Sequence, residues 1–440
     1  MAINRDADAR DLRGGPRRFL SKVVAAALLG TVVATLPAIP ARAATKVVIT
    51  GGGWGHGLGL SQWGAYERAG NGWSADRILR HYYTDTTVKA TNLPNQVRVG
   101  LLQGQSEIEF TSSALRADGG RLAFAVKGSE PFVSGGTNAN WKVQPGPRGS
   151  IYLFKNGDVV RDSGDRTLGG NQPVVVEYEP YDTLVRVVDK DTSYKHGEML
   201  LDSYGGSCLD GRCLRLVGAI PMEEYLLGIA EVSASWPKES LRVQAIIART
   251  YASHKIKTTG QHRDTCDCAV YDSSYDQVYL GDDRRLAAGS YWGNWRRAVR
   301  STEDHAVLYD GVPILALYMS SSGGHTEDNE DVWGGTPLPY LRGVNDRADS
   351  TSANINHEWR VEMSWSSFSS KLDAYFGTGP VQRFTLERPF GVSGRVTVVK
   401  ADGSGGVRIV GAERTVRASG YQVKSALGLK DTLFRVDFVD

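Results

Sequence analysis

The chain has 440 residues, 41% of them hydrophobic, with 51 glycines, four cysteines and a formal charge of +2 that 51 basic and 49 acidic residues nearly cancel. That length supports two domains with cores of their own. With no basic stripe in the body of the chain to neutralise phosphates, nucleic acid is excluded as the natural partner.

Residues 1–43 read as a cleaved targeting segment. Arg10, Arg13, Arg17, Arg18 and Lys22 make a basic leader, Val23 to Ile39 is apolar but interrupted by Pro37, and Ala41-Arg42-Ala43 is a small-residue cleavage site. Arg17-Arg18-Phe19-Leu20 weakly resembles a twin-arginine export signal. The segment holds seven basic and three acidic residues, so its removal takes the charge to about −2. No later stretch is apolar over a bilayer's thickness, so the expected product is secreted or held in the extracytoplasmic envelope without a membrane anchor.

Residues 44–95 carry G-G-G-W-G-H-G-L-G-L-S-Q-W-G-A-Y from Gly51 to Tyr66. Glycine at alternate positions around His56 allows close backbone approach to a ligand. Trp54, Trp63 and Trp73 offer flat apolar faces of the kind sugar rings stack on. The G-K-[ST] ending of a phosphate loop is missing. A Gly-rich turn with a structural histidine is the plainer alternative.

From 96 to 214 the signals are strand and turn. Short β-branched or aromatic runs such as Ser150 to Phe154 and Pro173 to Tyr178 are separated by Asn156-Gly157 and Asp118-Gly119-Gly120, predicting an antiparallel sheet or small barrel. If Asp210-Gly211 is a two-residue hairpin turn, Cys208 and Cys213 face each other one pair beyond it, close enough for a disulfide.

In residues 215–440, Pro221 suits the first position of a helix. Glu223 and Glu224 fall in its first turn, Leu226, Ile229 and Ala230 keep helical spacing, and the helix is expected to run out near Glu231. Pro237 restarts the chain, and Leu241, Ala245, Ala248 and Ala252 form a stripe of mainly small residues on a second helix. At the negative pole of a helix and at the end of an apolar run, Glu231 should have its ionised form penalised and its pKa raised, as a general acid requires. A disulfide between Cys266 and Cys268 is expected to be strained, whereas two thiolates with His262 supply three tetrahedral zinc ligands. Asp276 to Tyr279 and Ser320 to Glu327 read as loops whose hydroxyls and amides can hydrogen-bond a polysaccharide. Ser320 to Ser322 lack a nucleophile elbow.

Four motifs, P-M-E-E-Y-L-L-G-I-A-E-V, W-P-K-E-S-L-R-V-Q-A-I-I-A-R-T-Y-A, D-Q-V-Y-L-G and Y-M-S-S-S-G-G-H-T-E, occur in the order found in the SpoIID/LytB domain, and the chain from about Val97 onward resembles that family of sporulation stage II proteins and amidase enhancers. The family's G-H-G-x-G-x-S-Q-x-G-A signature normally follows the serine-rich motif. Here it stands at the N-terminus, so the N-terminal block is expected to fold back into the same groove, as in a circular permutation. The resemblance implies an α+β fold, mostly antiparallel with a helical catalytic segment and two lobes around a glycan groove. It implies catalysis by Glu231 and glycan contacts from His56, Ser61, Gln62, Gln244, Arg249, Gln277, Tyr279, Ser321, Ser322, His325 and Glu327. Some members bind zinc near Cys266 and Cys268. No cofactor is otherwise required.

The function so implied is lytic cleavage of peptidoglycan strands, in which one glutamate protonates the glycosidic oxygen and then accepts the proton of the sugar's own 6-hydroxyl. Two alternatives are a glycoside hydrolase pairing Glu231 with Glu327 or Asp276, and a non-catalytic wall-binding protein that enhances a cell-wall amidase.

Overall fold

Period-two patterning lays out the sheets. In a computed structural model that describes residues 46–161, 166–179 and 181–439, the strands Trp141–Pro145 and Thr183–Val187 alternate buried with half-buried positions and send Trp141, Val143, Val185 and Val187 into the core. The expected targeting segment 1–43 lies outside the described residues. Asn156 and Gly157, at φ 52° and 93°, form the two-residue turn between Ser150–Lys155 and Asp158–Val159. Asp210 and Gly211, at φ 49° and 74°, do the same between Glu198–Leu209 and Arg212–Pro221. Positive φ at both central positions matches the strands' right-handed twist, which is why Asn-Gly and Asp-Gly are strong hairpin signals.

These hairpins build two seven-stranded sheets. One runs Asp158–Val159, Ser150–Lys155, Trp141–Pro145, Ile108–Ala114, Thr183–Val187, Thr192–Tyr194, with Leu168–Gly169 also on Ser150–Lys155. The other runs Val270–Tyr271, Gln96–Gln105, Arg212–Pro221, Glu198–Leu209, Val174–Glu177, Leu122–Val126, Val133–Gly135, and only its Val270–Tyr271 pairing is parallel. Sheet and helix occupy separate stretches of chain, so the class is α+β with mostly antiparallel sheets.

Helices α1 (Gln62–Gly70), α2 (Ala75–Tyr82), α3 (Met222–Leu227) and α4 (Lys238–Thr259) surround the functional segment. Ser61 and Ser74 cap α1 and α2 by accepting from Gly64 N and Arg77 N. The stripe Leu241, Ala245, Ala248, Ala252 is fully buried, and α4 packs among α1, α2 and the helix Trp292–Arg300. Small residues are what let one helix take several neighbours at once.

The N-terminal strand Lys46–Gly52 lies between Glu358–Ser364 and Phe434–Val439, antiparallel to both. Its Val47 and Ile49 enter a core shared with Phe368, Leu372, Phe384 and Phe434. A larger core draws on residues from Leu58 to Leu341. Ala44–Asp440 is thus one compact unit whose cores run across the boundaries at 95 and 214 drawn from the sequence.

Candidate active site

α3 stops at Leu227 rather than near Glu231, because Gly228 caps it and Ile229 turns into a bridge with Tyr279. Gly228 has no room for a side chain, since a Cβ would meet the Tyr279 ring at 2.2 Å. Glu231 therefore sits in the irregular segment beyond a six-residue helix, and the dipole expected to raise its pKa is not the cause. Burial is. Desolvation raises the pKa above the ordinary carboxylate value, while donation from Val278 N (2.6 Å) and Tyr318 Oη (3.0 Å) opposes the rise. Both donors use Oε1, so Oε2 is the oxygen left to carry and pass a proton. Tyr318 is itself held, accepting from Gln277 Nε2 at 3.1 Å, while Tyr225 Oη donates to Gln277 Oε1 at 3.0 Å.

The cleft beside Glu231 has a volume of about 710 Å³ and is lined also by Trp54, His56, Gln62, Tyr275, Tyr318, Ser320, Trp333 and Tyr421. Trp54, Tyr275, Trp333 and Tyr421 are exposed aromatic faces at its rim. A hollow of about 750 Å³ along Gly51, His357, Trp359 and Arg435 shares no lining residue with the cleft, and its carboxylate, Glu358, is exposed on a strand.

The N-terminal block reaches this cleft by pairing in parallel, Leu60 with Tyr318 and Ser61 with Met319, and by the Trp54–Ser321 bridge. Gln62 and Glu231, 169 residues apart, meet where Gln62 Nε2 donates to Glu231 O at 3.5 Å and to Gln244 Oε1 at 3.2 Å. His56 lies in the same cleft, tilted against Trp333 with ring centroids 5.3 Å apart. Its Nδ1 accepts from Leu58 N, and burial, followed by the nearby charges of Lys424 and Arg395, lowers its pKa to about 3. It is a neutral imidazole at any physiological pH.

Most of the other residues expected to touch glycan are buried in the framework, because their polar groups are taken up by the fold. Ser61 and Ser321 donate to Asp349, Ser322 to Asp346, and Asp349 also accepts from Ser322 N and Gly323 N and pairs with His357 Nδ1 at 2.9 Å. Arg249 is bidentate on Glu223. Gln244 receives Gln62, Gln277 links two tyrosines, and Tyr279 stacks on Tyr225. His325 sits outside the cleft lining, its Nδ1 on Thr326 O at 2.6 Å. Of the serine-rich motif, the serine that lines the cleft is Ser320.

Glu327 is fully buried, accepting from the amides of Asp328, Val392 and Ser393 and from Ser393 Oγ, so it faces protein rather than substrate. Asp276 lines the cleft, but Tyr251, Arg263 and Tyr271 N occupy both its oxygens. Although burial works to raise its pKa, Lys255 and these donors hold it below the ordinary value.

The alternating glycines serve packing. A Cβ on Gly57, at φ +87°, would meet Arg395 Nε at 2.5 Å, and one on Gly59, at φ +68°, would meet Leu317 O at 2.1 Å. The close approach is thus to the protein's own Arg395 and to the strand carrying Tyr318, not to a ligand. Gly57→Val is accordingly expected to cost about 3 kcal/mol or more of stability, from a β-branched residue at positive φ plus the clash. Thermal unfolding checks this. An unchanged Tm with weakened ligand binding would return Gly57 to the ligand.

Both cysteine pairs are disulfides. Cys208–Cys213 joins the Asp210-Gly211 hairpin with Cα atoms 5.0 Å apart, and Cys266–Cys268 is bonded across its single intervening residue. The second pairing leaves Cys266 and Cys268 without the thiolates that the expected zinc set with His262 requires, since disulfide sulfurs are not thiolates. Asp267, at φ 52°, turns the two cysteines toward each other, and the largely exposed His262 places Nδ1 on Asp267 Oδ1 at 2.5 Å. In this oxidised state these residues do not form a zinc site.

Tyr318, Asp346, Asp349 and the pair Arg395–Asp431 were not singled out from the sequence. Arg395 donates to Asp431 at 2.8 and 3.2 Å, to His325 O and to Ser322 O. Tyr318, Arg395 and Asp431 stand in apolar or glycine-rich stretches, whereas Asp346 and Asp349 lie in the polar run Asn345 to Ser352, where no signal marks them.

Fold and site together define an α+β protein organised on one desolvated glutamate at an aromatic-rimmed cleft. Residues 211–309 match the stage II sporulation protein family, SpoIID. Similar proteins include the stage II sporulation protein D of Bacillus subtilis (strain 168), 29% identical over 178 residues that make up 39% of this chain and 51% of that protein. The amidase enhancer of the same organism is 37% identical over 141 residues, 32% of this chain and 17% of that protein. An uncharacterised protein of Brachyspira hyodysenteriae is 30% identical over 164 residues, 36% of this chain and 40% of that protein. Through the segment 211–309 and these relatives the chain is similar to the SpoIID/LytB family. Its matched segments span about half or less of these relatives' own lengths.

Proposed function

We propose that this protein is an extracytoplasmic lytic transglycosylase of peptidoglycan, with Glu231 as acid and then base in a groove formed at the cleft. The observation that carries the reading is the solitary state of Glu231. It is desolvated, its Oε2 has no protein partner among the described residues, and the carboxylates of Asp276 and Glu327 are both committed to internal donors. Hydrolysis usually needs a second free carboxylate to activate water or attack the sugar. Intramolecular capture by the 6-hydroxyl needs only one group. Glu231 protonates the glycosidic oxygen as the bond to the anomeric carbon breaks, and the resulting carboxylate then takes the 6-hydroxyl proton as that oxygen closes on the same carbon. The proton count returns to its starting value. Trp54, Trp333 and Tyr421 would stack sugar rings, and neutral His56 would orient a hydroxyl.

The relative named amidase enhancer supports a second reading, a wall-binding protein that assists a cell-wall amidase without cleaving glycan itself. Incubating the purified protein alone with peptide-free glycan strands separates the two. Fragments ending in 1,6-anhydro sugars, detected by mass spectrometry, are the expected result. Fragments with reducing ends would indicate a hydrolase, and intact strands with binding retained would indicate the enhancer.

A further inference from the structure

A half-buried cation beside the cleft plays no part in the chemistry above. Lys424 lies on the helix Gly420–Leu427, whose Val423 and Leu427 are buried in the core built on Val47 and Ile49. Tyr421, three residues earlier and so on the same face of that helix, stands at the cleft rim with Lys424 Nζ 5.0 Å from its ring centre. Burial lowers the Lys424 pKa below the ordinary ammonium value, the charge of Asp431 opposes the change, and that of Arg395 adds to it. Asp431 is bonded to Arg395, and Lys424 makes no ion pair among the described residues. A desolvated ammonium without an acid in contact costs stability, so what it does bond points to its use.

That partner is the backbone of the glycine-rich turn. Lys424 Nζ donates to Gly55 O at 2.8 Å, and Gly55 N donates to Lys430 O at 3.1 Å, so the C-terminal segment grips Gly55 on both sides. Gly55 separates Trp54 and His56, which both line the cleft. The amide of Trp54 is pinned to Ser321 O at 2.9 Å, and Lys430 Nζ stands 5.4 Å from the centre of the indole. The peptide between Gly55 and His56 is the soft point. Gly55 sits at φ +148°, where a Cβ would meet that of Met319 at 2.5 Å, and glycines at 55 and 57 restrain His56 little by themselves. Among the described residues Lys424 is the donor to that peptide's carbonyl.

Resting on the wall-glycan reading, we propose that Lys424 is a positioning residue, which acts through the carbonyl of Gly55 to hold Trp54 and His56 at the angles at which they stack and orient a sugar. Lys424 stands behind the cleft lining, so its effect on the sugar passes through these two side chains. Its charge has a second consequence. Together with the larger effect of burial and with the charge of Arg395, it disfavours protonation of His56, which leaves Nδ1 free to accept from Leu58 N. The C-terminal helix thus contributes Tyr421 to the rim directly and the other two rings by restraint.

The test compares Lys424→Met, which keeps an aliphatic stem but loses the donor and the charge, with Lys424→Arg, which keeps both. Affinity for glycan strands is measured in a Glu231→Gln background, where the strands survive the experiment. Lys424→Met is expected to weaken binding about tenfold, the size of effect that follows when two side chains must be ordered on binding rather than beforehand. Amide exchange at residues 55–57 should accelerate about tenfold. The Tm should hold or rise, because the desolvated charge is gone. Lys424→Arg should restore most of the affinity and slow the exchange again. In a Trp54→Ala background the Lys424→Met loss should shrink, since one of the two rings it holds is absent. Unchanged affinity, a loss of the same size without Trp54, or a fallen Tm with normal binding each overturns the assignment. If the Glu231→Gln protein with Lys424 intact binds no glycan, the wall-glycan reading falls, and amide exchange still decides the role of Lys424: faster exchange in Lys424→Met retains it and unchanged exchange overturns it.

Discussion

Glu231→Gln is expected to lower turnover by at least about 10³-fold while leaving glycan binding and fold intact, because the amide keeps the shape and still accepts from Val278 N and Tyr318 Oη but has no proton to transfer. Removing one group that acts as both acid and base should fall at the strong end of such effects. Retention of activity by this variant would remove Glu231 as the acid. The pH behaviour follows from the direction of the shift. Burial raises the carboxyl above 4.5, so the protonated, active form is lost as pH climbs through that raised value, giving a falling limb on the alkaline side. His56, already neutral above about 3, contributes no limb between pH 5 and 8. Stability carries the same signature. Between the ordinary and the raised value the folded protein binds more protons than the unfolded chain, so stability falls with rising pH across that window and is flat above it. Glu231→Gln lacks the penalty and should melt at or above the parent's temperature at pH 7, with the advantage gone near pH 4. A variant that melts well below the parent at pH 7 would mean the carboxylate is structural.

The second large effect is expected at Arg395. Its side chain and that of Asp431 are almost completely buried, and it also satisfies the carbonyls of Ser322 and His325, bolting the C-terminal segment to the serine-rich loop. Arg395→Ala leaves an uncompensated buried carboxylate and two stranded carbonyls, a loss of about 3–5 kcal/mol, and the melting temperature should drop by on the order of 5 °C or more. Adding Asp431→Leu should recover part of that loss, since a buried pair costs less to remove whole than by half. A single variant as stable as the parent would contradict this account. The cleft should feel the change too. Arg395 helps depress the His56 pKa, so losing its charge moves that pKa up from about 3 toward the usual value.

What could be read without coordinates was what local chemistry encodes. Asn156-Gly157 and Asp210-Gly211 dictate tight hairpins because few residues other than Gly, Asn and Asp tolerate positive φ. The β-branched and aromatic run Ser150 to Phe154 reads as a strand and forms one, and the buried stripe on α4 follows from its spacing. Glu231 stood out as an acid ending an apolar run, which is why its burial could be anticipated although the helix dipole was the wrong cause. Tertiary structure alone decided which polar side chains were free. Ser321, Ser322, Gln277 and Glu327 look like ligand-binding groups in sequence. Each is instead consumed by partners as distant as Asp349, Asp346, Tyr225 or the amides at 392–393, because a buried hydroxyl or carboxylate must find a partner wherever the fold supplies one. The Cys266–Cys268 bond likewise depended on the positive φ of Asp267, a backbone choice that spacing does not reveal. Residue type limits what a side chain can bond, but only the folded chain determines whether water, protein or substrate receives it.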